Sequence, residues 1–135
     1  YTPFILFPWI STFNTSPCST DSKNSEKITS FEVGHGQISS TAYVFNKTAY
    51  ISDCNEIYQK DFSKLKGLNY LIIDCLKFAY HPSHFNLDTA LDICNKVKAK
   101  RTILTNLHTD LDYSFLKKNL PKNIVPAFDG MKIKI

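Results

Sequence analysis

Four histidines and a few carboxylates carry most of the chemistry available to this sequence: His35, His81, His84 and His108, with Asp53 and Asp74. The histidines occur at loops or element ends, with Gly, Pro, Ser or Asn close by, and none interrupts an apolar helical stripe. Taken one at a time, each reads as an ordinary surface or hydrogen-bonding residue. Their placement changes that reading. Asp53, Asp74, His84 and His108 all follow apolar, strand-like runs, and in α/β sheets sites assemble at the carboxyl ends of strands. Hydrolysis of a phosphodiester by bridged metal ions requires nitrogen and oxygen donors, a carboxylate that spans two ions and a proton donor for the leaving oxygen. Asp53 could bridge, His35 and His108 could each hold one ion, and His84 could be the acid. The set is short of a complete two-metal site, and the one further imidazole, His81, does not make up the number.

The elements that must position these residues belong to one domain. At 135 residues the chain is long enough for a real core, and 43% hydrophobic with 21% charged residues is the balance of a folded globular protein. The net charge of +4 is spread as separate lysines apart from Lys117-Lys118, whereas a nucleic-acid binder shows a denser stripe. An anionic substrate is therefore allowed and a nucleic-acid partner is not expected. Cys18, Cys54, Cys75 and Cys94 are far apart with no CxxC pair, which argues against a thiolate zinc site and for free thiols in a reducing, cytoplasmic setting. No segment has the length of a membrane span. The opening YTPFILFPWI is apolar but broken by Pro3 and Pro8, and it lacks a basic leader, so it reads poorly as a signal peptide. Residues 1–27 form a variable segment, apolar then polar, in which Asn14 begins a glycosylation-type NTS that means little without an export signal.

From residue 28 the texture becomes regular. KITSFEV, TAYVF and TAYIS read as strands, the last two joined by a tight turn at Asn46-Lys47. A loop or short helix follows and ends at Gly67, and NYLIIDC is a buried strand. Leu87, Ala90, Leu91, Cys94 and Val97 recur at helical spacing behind Asn86 as N-cap. RTILT is a second buried strand. Asp110 or Asp112 caps a helix from Tyr113 to Leu120 that Pro121 closes, and MKIKI alternates as an edge strand after an Asp129-Gly130 turn. Strand–helix–strand–helix order predicts an α/β layered domain over residues 28–135 with helices covering one face.

VGHGQISSTAY, TAYISDC, LIIDCLKFAYHPSHFNLDTAL and ILTNLHTDLDYSFL, in this order, resemble the C-terminal half of a metallo-β-lactamase-fold hydrolase. The nearest group is that of phosphoribosyl cyclic phosphate phosphodiesterases, kin to the tRNA-processing ribonuclease Z. The resemblance implies the C-terminal part of an αββα sandwich, zinc or manganese as cofactor and a small phosphodiester as substrate. It implies His35 as an isolated metal ligand, Asp53 as the bridging aspartate and His84 as proton donor. The last metal histidine falls in LTNLH, where relatives often have histidine at the position of Asn106. Asn106 and His108 would face the same side of an extended segment, and His108 is the expected ligand. His81 before Pro82 reads as structural, and Asp74 as a turn residue or a partner that orients a histidine. The family's His-x-His-x-Asp-His motif is absent from the sequence. The expectation is therefore a hydrolase-like half that is inactive alone, trimmed, split or completed by an N-terminal half. Two rivals are a non-catalytic, oligomer-forming interaction protein with an exposed sheet face and a ribonuclease Z-like nuclease fragment.

Overall fold

Alternating apolar residues and left-handed turn positions shape the first part of the fold, seen in a computed structural model that describes residues 27–135. The expectations for the apolar opening, the polar loop and Asn14 lie outside the described residues. Strand β1 (Thr29–His35) turns at Gly36 into β2 (Ile38–Phe45), and β2 turns into β3 (Thr48–Ile51). Asn46 and Lys47 have φ of 45° and 56°, the paired left-handed conformation that matches the twist of a two-residue hairpin.

Beyond β3 the connections become crossovers. A 3₁₀ helix (Gln59–Leu65), followed by Gly67 at φ 68°, leads to β4 (Tyr70–Asp74). Helix α1 (Leu87–Val97) leads to β5 (Arg101–Thr105), and α2 (Tyr113–Asn119) to β6 (Ile124–Pro126). The strands form one sheet in the order β1-β2-β3-β4-β5-β6, antiparallel from β1 to β3 and parallel from β3 to β6. Two reversals make β1 parallel to β3. The carboxyl ends of β1, β3, β4 and β5 consequently share one edge of the sheet, which is where His35, Asp53, Asp74 and Asn106 occur.

Asn86 caps α1 reciprocally: its Oδ1 accepts from the Thr89 N–H at 2.9 Å, and its own N–H donates to Thr89 Oγ1 at 3.1 Å. At α2 the cap is Asp112, whose Oδ1 accepts from the Phe115 N–H at 2.7 Å. Both helices face the same side of the sheet, where Ile51, Leu71, Ile73 and Leu104 join Ala90, Cys94 and Leu116 in the core. Alternation turns Ile72 and Ile103, also buried, to the opposite face. The C-terminal MKIKI is not the expected edge strand. Only Lys134 is in bridge pairing there, because an alternating pattern specifies two faces but supplies no hydrogen-bonding partner.

Cys54, Cys75 and Cys94 are free and buried, and burial pushes their thiols up to about 12, 12 and 11. In the native protein at pH 8 these three are expected to resist a thiol reagent and to react fully in denaturant, as counted by absorbance. Leu104→Ala is expected to lower stability by about 2–5 kcal/mol in urea titrations. Ile38→Ser, at a position 67% exposed, is expected to stay within about 0.5 kcal/mol of the parent.

Candidate metal centre

Gly36 brings the β1 turn against a neighbouring loop. A Cβ at this position would lie 3.0 Å from Ser83 Cβ, and the backbone has φ 64°, so only glycine fits without strain. The amide of Asn55 clamps the same contact, its Oδ1 accepting from the Gly36 N–H at 2.9 Å and its Nδ2 donating to the Pro82 carbonyl at 3.1 Å. Paired bonds between Gly34 and the 55–56 segment, both 2.9 Å, fix the start of that clamp. His35 is thereby held with Nδ1 2.7 Å from the Ser83 carbonyl oxygen. A carbonyl only accepts, so Nδ1 carries the proton and Nε2 of the neutral ring presents its lone pair.

A second anchor sits at the end of β4. Asp74 is fully buried, and three donors from two separate segments meet its carboxylate. His84 Nδ1 lies 3.0 Å from Oδ2, the Phe85 N–H donates to Oδ2 at 3.2 Å, and Asn106 Nδ2 donates to Oδ1 at 2.8 Å. Burial pushes the Asp74 carboxyl above its ordinary value of 3.8, while the bonds from Asn106 and His84 and the His84 charge pull it back. With Nδ1–H of His84 directed at Asp74, Nε2 of this ring is also free to act as a donor. The rings of His35 and His84 meet edge to face at 4.8 Å between centroids. Asp53, in the turn after β3, is exposed and has φ 50°.

Donor atoms of His35, Asp53 and His84 all lie within 4.8 Å of one another. The expected grouping of His35 and Asp53 with His108 is not the one the structure assembles. His84 stands in that group, whereas His108 is half-exposed, with Nδ1 2.7 Å from Asp110 Oδ1 and its backbone N–H on the Leu76 carbonyl. The cause is the backbone. Asn106 has φ 63°, so the extended run ends at Thr105 and residues two apart no longer share a side. Asn106 turns inward to Asp74 and His84, 3.3 Å from His84 Nδ1, and His108 turns outward. Asp110 consequently partners His108 while Asp112 alone caps α2.

His81 packs its ring 5.1 Å from that of His84, and its Nδ1 is within 3.4 Å of both the N–H and the hydroxyl of Ser83. Partial desolvation, followed by the fields of His84 and Lys77, lowers its pKa. Sequence reasoning missed Asn55 and Ser83, which act through an amide side chain and a backbone carbonyl. Neither residue type marks such a role, although the His35-Gly36 pair signals a close approach of backbone.

No family model matches the chain. A diphosphatase of the PhnP family superposes on 85% of this chain and 45% of its own, with a TM-score of 0.80 and 32% identity. The metallo-β-lactamase-fold protein YhfI of Bacillus subtilis matches 90% of this chain and 54% of its own, with a TM-score of 0.65 and 16% identity. Zinc-bound PqqB of Methylobacterium extorquens matches 80% and 50%, with a TM-score of 0.61 and 12% identity. An octanoyltransferase of Porphyromonas gingivalis is 27% identical over 101 residues, 73% of this chain but only 20% of that protein. The described residues therefore carry the metallo-β-lactamase fold, as a mixed α/β sheet with its helices on one face. With the PhnP-family protein the likeness extends beyond fold to sequence. The chain spans about half the length of these structures.

Because its raised pKa means that folded Asp74 holds its proton more tightly than the unfolded chain does, this group's contribution to stability falls as pH rises from about 3.8 through the folded value. The stability of the parent minus that of Asp74→Asn, from urea titrations, is expected to decline over that window and then level. Asn106→Ala removes a bond to a buried carboxylate and is expected to cost about 1.5–3 kcal/mol at neutral pH by the same measurement.

Proposed function

We propose that His35 Nε2, a carboxylate oxygen of Asp53 and His84 Nε2 hold one divalent cation, zinc or manganese, and that the chain belongs to a metal-dependent hydrolase of small phosphodiesters or diphosphates. The observation that carries this reading is the convergence of the three donors within 4.8 Å, with both imidazoles anchored at Nδ1 so that Nε2 is free. Two nitrogens and one oxygen suit zinc, whose catalytic sites use three protein ligands at about 2.0–2.2 Å and keep a position open. The likeness to a PhnP-family diphosphatase at 32% identity supports phosphoryl chemistry as the reaction class.

A divalent ion held here supplies Lewis-acid chemistry at phosphorus. The chain's own residues do the positioning. Asp74 sets the tautomer and angle of His84, the Ser83 carbonyl does so for His35, and the strained turn at Asp53 points its carboxylate at the same space. His84 is then a ligand and not the proton donor the family resemblance implies. Among the described residues the donors converge at one group, which suits a single ion.

Dialysis against zinc followed by elemental analysis is expected to find one ion per chain. His35→Ala and His84→Ala are expected to lose it, with affinity falling by more than the roughly 10–100-fold typical of losing an outer partner, and His108→Ala is expected to keep it. Retention of zinc by His84→Ala, with loss of phosphodiester hydrolysis, would instead make His84 the proton donor.

A further inference from the structure

His81 stands beside the metal-donor group without belonging to it. Among the described residues that group is His35, Asp53 and His84, and the place of His81 before Pro82 reads from sequence as structural. The surroundings of the ring are nevertheless built. Each residue after it in the His-Pro-Ser-His run is held from a different segment. The Pro82 carbonyl accepts from Asn55 Nδ2 at 3.1 Å, the Ser83 carbonyl accepts from His35 Nδ1 at 2.7 Å, and His84 Nδ1 lies 3.0 Å from Asp74 Oδ2. The Leu76 N–H on the Phe85 carbonyl, at 2.8 Å, closes the base of the loop. The ring of His81 stays half-buried, 5.1 Å between centroids from that of His84.

The hydrogen bonds of this ring run opposite to those of its neighbours. The Ser83 N–H donates to His81 Nδ1 at 3.4 Å, and the Ser83 hydroxyl lies 3.3 Å from the same atom. An amide N–H only donates, so Nδ1 of His81 is an acceptor and the ring proton sits on Nε2. His35 and His84 carry their protons on Nδ1, directed at oxygen acceptors, and present lone pairs at Nε2. Two rings thus offer a lone pair, and a third, packed against one of them, offers an N–H. A lone pair suits a cation, whereas an N–H beside it suits the anion that the cation binds. Preorganised N–H donors of this kind stabilise charged oxygens at a reacting centre.

We propose that His81 Nε2–H donates to a non-bridging oxygen of a phosphoryl group seated at the open position of the His35–Asp53–His84 ion. The inference rests on that site for the ion and names the side chain that holds the other side of the anion. The ring binds the anion; it neither ligates the ion nor gives up its proton. An Nε2–H is present in the neutral and the charged ring alike, so the role does not depend on titration.

The test is calorimetric titration of the zinc-loaded full chain with inorganic phosphate, in the parent, His81→Ala and His81→Gln. His81→Ala is expected to bind phosphate about 10- to 100-fold more weakly, the range of one hydrogen bond to a charged group, with zinc content unchanged. His81→Gln, whose amide N–H reaches close to the place of Nε2, is expected to recover most of that loss. Equal phosphate affinity in the parent and His81→Ala overturns the proposal, as does a loss that His81→Gln leaves in place. Loss of zinc from His81→Ala also overturns it, by making the ring a ligand. A long-range proton–nitrogen NMR spectrum of the metal-free parent at about pH 8, where histidine is neutral, reads the tautomers without any substitution. His81 is expected there with its proton on Nε2, and His35 and His84 with theirs on Nδ1; a proton on Nδ1 of His81 overturns the proposal even if a variant fails to fold. A parent chain that takes up no zinc counts against the metal site. Phosphate titrated against the metal-free parent and His81→Ala then still decides whether His81 donates, so the two readings fail separately.

Discussion

A single carboxylate with no contact to water organises the edge of the sheet on which the site is built. Asp74 ends β4, and the donors that satisfy it come from the loop before α1 and from the turn after β5. A buried carboxylate without such donors is costly, so the chain around it is arranged to supply them. The same three bonds aim His84, begin the approach to α1 through Phe85 and draw Asn106 inward. Positioning and stability are thus consequences of one desolvated group.

Two further features let this arrangement meet His35 and Asp53. The antiparallel hairpins at the start of the sheet bring β1 back parallel to β3, so that His35 reaches the same edge as the parallel strands. Left-handed backbone at Asp53 and Asn106 then stops two strands abruptly and swings their polar ends toward the centre. Asp and Asn are the side chains that tolerate this conformation best. Strain at such points is characteristic of positions whose direction is held by their surroundings.

Much of the architecture could be read from residue pattern. Asn46-Lys47 marks its hairpin by type, Asn86 its helix cap, and the runs LIID and TILT their buried strands, because each is a local signal matched to a local geometry. The positions of His35 at the end of β1 and Asp53 just after β3 follow in the same way. His108 did not, because the reading assumed an extended backbone where Asn106 turns. The sign of φ at one residue decided which of two polar side chains turns to Asp74. MKIKI failed for a different reason, since a strand requires a neighbour that lies elsewhere in the chain. The clamp through Asn55 and Ser83 was beyond a single sequence, as it depends on approach between segments remote in order.

The bond from Asn106 to Asp74 joins residues 32 apart in sequence. Between them lie all of α1 and β5, so this contact closes a long loop. His84 is oriented by the same carboxylate. Alignment of these side chains therefore depends on the pairing of β4 with β5 as much as on the residues themselves.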